Sequence, residues 1–330
     1  MLTRFNTCLK FGAIALMFAA LGVQAQDAVR DPSKPIRFIV PASAGGPSDV
    51  IARLVAERLG QAMGQTVVVD NRPGASQMLG TAVVAKADPD GYTLLFTTST
   101  PIVMTPATLK KVPYDVQKDL TAISHLGSTP LVLYVNGATS ITNLRQLFDA
   151  AKAKPEAANY GSYGNGSSAH VLGEFMIRQA NVKMVHVPYK GVAPELQDLM
   201  SGQLLTAVAD IGSAAPLVKA GRIRPIALTG IKRSAVLPDV ATFAEQGISG
   251  MEPFSPWWGM FAPRQTPKAI VDQLSVEIAK IVNTPDFNAK LVSFGIDTTG
   301  TTSAQANEIA RTEMVKWQQI TKDMSHISFE

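Results

Sequence analysis

Ile36-Arg37-Phe38-Ile39-Val40-Pro41-Ala42-Ser43-Ala44-Gly45-Gly46-Pro47-Ser48-Asp49-Val50-Ile51 is the stretch on which the fold class turns. Its first five residues are a short β-rich run. After a small-residue loop, residues 49–59 set Val50, Ile51, Leu54, Val55 and Leu59 on one helical face, and Gly60 can stop that helix. Residues 66–69 read as a second strand. A small-residue helix over 76–87 ends at the turn Asp88-Pro89-Asp90-Gly91, and residues 92–97 read as a third strand. This β-α-β-α-β order implies a parallel sheet covered by helices on both faces.

Farther along, a second series opens at Leu131-Val132-Leu133-Tyr134-Val135. It alternates strands at 158–162, 183–187, 204–209 and 224–228 with helices at 143–153, 168–179, 194–201 and 213–220. Residues 255–261, with Trp257 and Trp258, read as one more strand, and helices follow at 267–282, 285–293 and 303–323. Two α/β series in one chain point to two lobes. The competing reading is a single α/β domain of about 300 residues.

Before the first strand, Arg4 and Lys10 precede an apolar run from Phe11 to Val23, and Val23-Gln24-Ala25 offers small residues where a signal peptidase reads. This is an export signal with cleavage expected after Ala25. The run is shorter than the ~20 residues of a bilayer span. The single cysteine, Cys8, lies ahead of the run, so a lipid anchor is not expected. Export without disulfides suits a periplasm and a chain large enough to rely on its core. The full chain has a net charge of +4, and the signal carries two of the 30 basic residues and no acid. So small an excess does not suggest nucleic acid as a partner.

Two loops carry the candidate chemistry. In the first, residues 41–49, Gly45 and Gly46 let the backbone approach a ligand, and Ser48 or Asp49 can cap the helix that follows. Free N–H groups and the helix dipole there favour an anion. The loop has no lysine after Gly46 and no G-x-G-x-x-G spacing, so phosphate and dinucleotide readings are weak. The second loop is Tyr160-Gly161-Ser162-Tyr163-Gly164-Asn165-Gly166-Ser167-Ser168-Ala169-His170. Its glycines and Ser167-Ser168 pair make another nest of donors at a helix start. Each loop alone is also an ordinary capped turn. Together they suggest two walls of one anion site.

Catalytic readings fare worse. His125, His170, His186 and His326 do not pair with a histidine or cysteine at metal-ligand spacing. Ser168 and His170 would not face each other on a helix, and the run from Gly166 to His170 lacks the last glycine of a nucleophile elbow. His170 reads first as a capping or packing residue and second as a ligand contact. Asp210 ends a buried strand, where an acid needs a partner. Tyr189 either lines a cleft or belongs to a turn. The tryptophans read as core and hinge packing before a ligand stack.

The markers Pro35-Ile36-Arg37-Phe38-Ile39-Val40-Pro41, Gly45-Gly46-Pro47-Ser48-Asp49, Asn71-Arg72-Pro73-Gly74, Pro89-Asp90-Gly91-Tyr92 and Val112-Pro113-Tyr114-Asp115 stand in order. Tyr163-Gly164-Asn165-Gly166-Ser167-Ser168-Ala169-His170, Val185-His186-Val187-Pro188-Tyr189-Lys190-Gly191, Leu237-Pro238-Asp239-Val240 and Ala262-Pro263 complete them. By these motifs the chain resembles the Bug family of extracytoplasmic solute receptors, partners of tripartite tricarboxylate transporters. The resemblance implies a type II periplasmic-binding-protein fold, with two lobes that each hold a mainly parallel sheet flanked by helices. Residues 26–127 plus 253–330 would form lobe one and 128–252 lobe two, after a signal peptide at 1–25.

It also implies that a ligand carboxylate meets backbone N–H groups and hydroxyls rather than an arginine. Carried over, lobe one offers Ala44, Gly45, Ser48, Asp49, Thr98 and Ser99. Lobe two offers Gly164, Asn165, Gly166, Ser167, Ser168, His170, Tyr189 and Asp210. Ser43-Ala44 replaces a proline pair common in the family, and Ser76-Gln77 replaces a glycine pair, so Gln77 can reach into the cleft. The expectation is a monomeric periplasmic receptor, not an enzyme and without metal or cofactor. It would capture a small carboxylate, an aliphatic di- or tricarboxylate or an aromatic acid, for the membrane permease subunits of a tripartite tricarboxylate-type transporter. The alternatives are an amino acid or amide-type solute, or a sensor that docks on a signalling protein.

Overall fold

The computed structural model of the protein describes residues 31, 33–45, 47–189 and 191–323. The expected signal segment and its cleavage site, Gly46, Lys190 and His326 lie outside the described residues.

The first half-sheet forms as the sequence pattern dictates. Strand β1 (Ile36–Val40) buries Ile36, Phe38, Ile39 and Val40 completely, while Arg37 faces outward to pair with Asp70. Helix α1 (Pro47–Met63) buries Ile51, Val55 and Leu59 at i, i+4, i+8. Strand β2 (Val67–Asn71), helix α2 (Met78–Ala85) and strand β3 (Thr93–Thr98) follow. A π-helical turn at Thr100–Met104 leads into the short helices α3 (Thr105–Thr108) and α4 (Val116–Asp119). Strand β4 (Leu120–Ser128) then ends this series.

The second series runs β5 (Leu131–Asn136), α5 (Leu144–Ala153), β6 (Asn159–Ser162), α6 (Ser168–Gln179), β7 (Val185–Pro188), α7 (Val192–Ser201), β8 (Thr206–Asp210), α8 (Ile211–Lys219) and β9 (Ile223–Leu228). The chain returns through β10 (Trp257–Pro263) and closes with α9 (Lys268–Val282), α10 (Pro285–Ser293), β11 (Asp297–Thr298) and α11 (Ser303–Asp323).

Two sheets result, with strand orders β11-β4-β10-β3-β1-β2 and β7-β6-β8-β5-β9. The pairs β1–β2, β1–β3, β6–β7 and β6–β8 are parallel, whereas β10 and β5 lie antiparallel to both their neighbours. Most strands of each sheet therefore share one direction, as expected, with a reversed strand inserted beside the third. These two reversed strands are crossovers: β5 enters the second sheet directly after β4, and β10 re-enters the first after β9; the short edge strand β11 is also antiparallel to its neighbour β4. The crossovers are tied together. Thr129 N–H donates to the Pro256 carbonyl at 2.8 Å, and the Thr229 hydroxyl accepts from Leu131 N–H at 2.9 Å and bonds Ser255 Oγ at 2.8 Å.

One nine-residue strand has no counterpart in the sequence reading: β4. Its Ser124 and His125 are buried, and their partners come from the far end of the chain. Ser124 Oγ donates to the Thr301 carbonyl at 2.9 Å, and His125 Nδ1 lies 2.7 Å from Thr299 Oγ1. Burial holds the His125 imidazole down at about 4, so it stays neutral in the strand.

The core has a face for each helix layer. α1 and α9 cover one side of the first sheet through Ile51, Val55, Leu274 and Ile278. On the other side a buried cluster continues into the second sheet through Phe254 and Trp257. There the Phe254 ring meets Trp317 of α11 at 5.3 Å and Phe175 of α6 at 5.5 Å. No described helix is long and apolar enough to cross a membrane.

Candidate functional site

The loop after β1 is held open from below. Gly45, at φ 81°, donates its N–H to Asp49 Oδ2 at 2.9 Å. Asp49 is buried and also pairs with Arg53, whose guanidinium continues to Asn71 Oδ1, while Asn71 Nδ2 holds the Ala42 carbonyl. Burial pushes the Asp49 carboxyl up, but the Arg53 and Gly45 bonds outweigh it and leave its pKa below the usual carboxylate value. Asp49 is thus spent on the loop. Ala44 is exposed, and Ser48 Oγ accepts from Trp258 Nε1 at 3.0 Å. Ala75, Ser76 and Gln77 all have positive φ. This left-handed turn aims the Gln77 side chain at the end of β3, where its Oε1 accepts from Thr97 and Thr98 hydroxyls at 3.1 Å each. Ser99 is buried and donates its N–H to the Trp257 carbonyl.

The loop after β6 is knotted by its own serines and two histidines. Ser167 caps α6: its Oγ accepts from His170 N–H and donates to the Gly164 carbonyl at 2.7 Å. Gly164 and Gly166 have positive φ, Asn165 between them is exposed, and Ser168 Oγ bonds the Tyr163 hydroxyl. His170 Nδ1 accepts from Gly166 N–H at 3.1 Å. The His170 ring stacks on His186 with centroids 3.8 Å apart and planes 6° apart, and Tyr160 also stacks with His186 at 5.0 Å. His186 Nε2 is 2.7 Å from Ser162 Oγ, and the Tyr160 hydroxyl donates to Glu174 Oε1. Burial lowers both imidazole pKa values, that of His186 to about 4 with help from its neighbour, while Glu174 opposes the shift at His170. Fifteen residues separate the two histidines, so spacing gave no hint of the stack. Among the described residues no group of three potential metal ligands occurs.

Both loops reach one hollow of about 430 Å³. From the first side come Gly45 and, on the opening turns of α1, Pro47, Val50 and Ile51. The crossovers supply Thr129, Leu131, Pro256 and Trp258 as a floor. From the second side come Tyr163 of the serine-rich loop, Val192 at the start of α7, and Asp210, Gly212 and Ser213 at the start of α8. Phe294 and Ile296 close it behind. Three helices of eight residues or more therefore point N-termini at one space. That of α7 lacks a side-chain cap, whereas Asp210 caps α8 with both oxygens on Ser213. Among the described lining residues there is no lysine or arginine. An anion here would be met by N–H groups and dipoles.

Of the sequence candidates, Gly45 and Asp210 line the hollow. Ala44, Ser48, Asp49, Gln77, Thr98 and Ser99 are not among its lining residues. Gly164, Asn165, Gly166, Ser167, Ser168 and His170 build the loop that presents Tyr163, and Tyr189 is turned to α7, its hydroxyl on Asp198 Oδ2 at 2.6 Å. Burial and that bond push the Tyr189 phenol up to about 12. Thr129, Phe294 and Ile296 were not candidates, because each belongs to a junction between distant segments; Tyr163 lay in the second loop without being singled out, and Trp258 was read first as packing. Glu195, one turn beyond Val192, was also missed: it is wholly buried, Oε1 accepts from Val208 N–H at 3.0 Å, and burial raises its pKa to about 8. It is therefore mainly neutral at pH 7.

Comparison with known proteins fits this geometry. Residues 51–325 match the model of the tripartite tricarboxylate transporter family receptor. A UPF0065 protein from a tcbD-tcbE intergenic region of Pseudomonas sp. is 34% identical over 93% of this chain and 91% of its own length. Protein BugT of Bordetella pertussis is 31% identical over 94% and 95%. Among solved structures, an R. palustris protein with adipate is 31% identical, with TM-score 0.80 over 89% of this chain and 98% of that one. MatC of Rhodopseudomonas palustris with bound malate is 27% identical, with TM-score 0.76 over 88% and 99%.

Proposed function

Because the chain belongs to the tripartite tricarboxylate transporter receptor family, with a Bug-type relative over 94% of its length, we propose that it captures a small carboxylate in the hollow between its two sheets. The chain is a solute-binding receptor of this type. Delivery to permease subunits of a tripartite tricarboxylate-type transporter, a monomeric state, a periplasmic location after cleavage at Ala25 and the absence of enzymatic turnover all belong to the proposal. So do the lobes at 26–127 plus 253–330 and at 128–252.

The observation that carries the reading is the shared hollow: Gly45 from one anion loop and Tyr163 from the other line the same space. An anion there gains from both walls only when they approach, so binding favours the closed form. Charge-assisted bonds of about 1.5–3 kcal/mol each make a few contacts sufficient. A specific observation keeps a second reading, an amino acid or amide-type solute, in play: the Asp210 carboxylate in the wall suits a ligand N–H. Isothermal titration of the purified mature protein against carboxylates, amino acids and their amides tests both. Binding of carboxylates with one-to-one stoichiometry is expected. Binding of amides alone would move the assignment to the second reading, and turnover of an ester or amide would overturn the receptor role.

A further inference from the structure

The walls of the hollow are chemically lopsided. Ile51, Leu131, Trp258, Phe294 and Ile296 give it a continuous hydrocarbon lining, and all but Phe294 are at least nine-tenths buried. Four polar side chains interrupt it, and two of them, the Tyr163 hydroxyl and Ser213, are already engaged with Ser168 and Asp210. Asp210 faces it from the start of α8, with its oxygens already accepting from Ser213 N–H and Oγ. The fourth is Thr129, on the floor: it is 2% exposed and its Oγ1 has no hydrogen-bond partner.

Resting on the receptor reading above, we infer that the ligand is an amphipathic monocarboxylate: one carboxylate on a ring-sized hydrocarbon body, with at most a neutral hydroxyl at its far end. The carboxylate sits at the Gly45 end, where the first turn of α1 opens on the hollow. The body lies against Trp258, Phe294 and Ile296. A cavity of about 150 Å³ already accepts a benzene-sized ring, so 430 Å³ holds a ring and its acid group. A second carboxylate would have to shed water against hydrocarbon or stand beside Asp210, and both are unfavourable. A neutral hydroxyl instead donates to Asp210, or bonds the unpartnered Thr129 hydroxyl once that buried side chain turns toward the hollow. This sets the chain apart from its malate- and adipate-bound structural relatives.

Isothermal titration with 3-phenylpropionate, 3-(4-hydroxyphenyl)propionate, adipate and citrate tests the inference. The two aromatic acids should bind at least about tenfold more tightly than the dicarboxylate and tricarboxylate. Asp210→Asn, which retains a good helix cap, should narrow the gap to adipate by about tenfold. Thr129→Val should weaken only the hydroxylated acid, and it serves if Asp210→Asn fails to fold. Tighter binding of adipate or citrate by the wild type overturns the ligand class and leaves the receptor reading standing. A hydroxylated acid that binds Thr129→Val as it binds wild type overturns the assignment of the polar end. Failure of all four acids to bind overturns the ligand class, and the carboxylate reading falls with it if malate is also silent.

Discussion

Asp49 is the residue on which the first wall depends. Its carboxylate ties Gly45 N–H to Arg53, and Arg53 ties the loop to β2. Asp49→Asn keeps the shape and removes the charge. Losing charge-assisted bonds of about 1.5–3 kcal/mol each should lower stability by about 1–3 kcal/mol in urea unfolding and cost at least about tenfold in ligand affinity. Unchanged values for both would show that the loop holds itself. Because the folded pKa of Asp49 lies below 3.8, its contribution is complete above that pH and is lost as pH falls through the folded value. At this scale the sequence was a partial guide. Glycines and serines at helix starts announced two donor nests, and both loops do border one hollow. Ser167, Asp49 and Tyr189 were expected to face the ligand, yet each is engaged within its own loop or helix. A sequence shows that a hydroxyl or acid is present, not which of several nearby donors it will satisfy.

At the scale of elements, α6 and the strand beneath it carry the second wall. Their close approach depends on Gly173, where a Cβ would stand 2.0 Å from Tyr160 Cε2. Gly173→Ala should destabilise the protein by about 1–3 kcal/mol through overpacking, read as a lower urea midpoint with an unchanged slope. A neutral substitution would mean that α6 shifts freely. Tyr160, His186 and His170 form a stack that must stay neutral, since His170 accepts from Gly166 N–H through Nδ1. Both imidazoles have folded pKa values below 6.5, so the unfolded chain binds more protons across the window down to about 4. The stack's contribution should therefore be complete above about pH 6.5 and fall as pH drops toward 4, against the opposite trend of Glu195, whose raised pKa favours the folded state as pH falls below about 8. His186→Phe keeps a ring in the stack and removes one titrating site, so denaturation at pH 7, 5.5 and 4.5 should show a shallower decline. An identical slope would exclude His186 as its cause. Local patterns foretold most of these elements, from β1 to α11. They missed β4 because its buried serine and histidine are satisfied by Thr301 and Thr299, more than 170 residues away.

For the molecule as a whole, the two crossovers both join the sheets and line the hollow. Thr129, Leu131 and Pro256 line the hollow and also carry the hydrogen bonds that tie β5 to the returning chain. A ligand on that floor touches the point about which the walls would move, and it shifts the population only by what it gains in the closed form. Saturation at a hundredfold excess over Kd should then stabilise the protein by about 2.7 kcal/mol and reduce its radius of gyration in solution scattering. Gly45 offers a way to separate the two effects from folding. It lines the hollow at φ 81°, and a Cβ there would meet nothing within 4 Å. Gly45→Phe should fold, at a strain of about 1–2 kcal/mol, and fill the space between the walls. Its expected behaviour is loss of affinity by more than about a hundredfold, together with loss of the ligand-induced contraction. If this variant bound and contracted like the wild type, the ligand would have to sit elsewhere, and the two loops would be turns and nothing more.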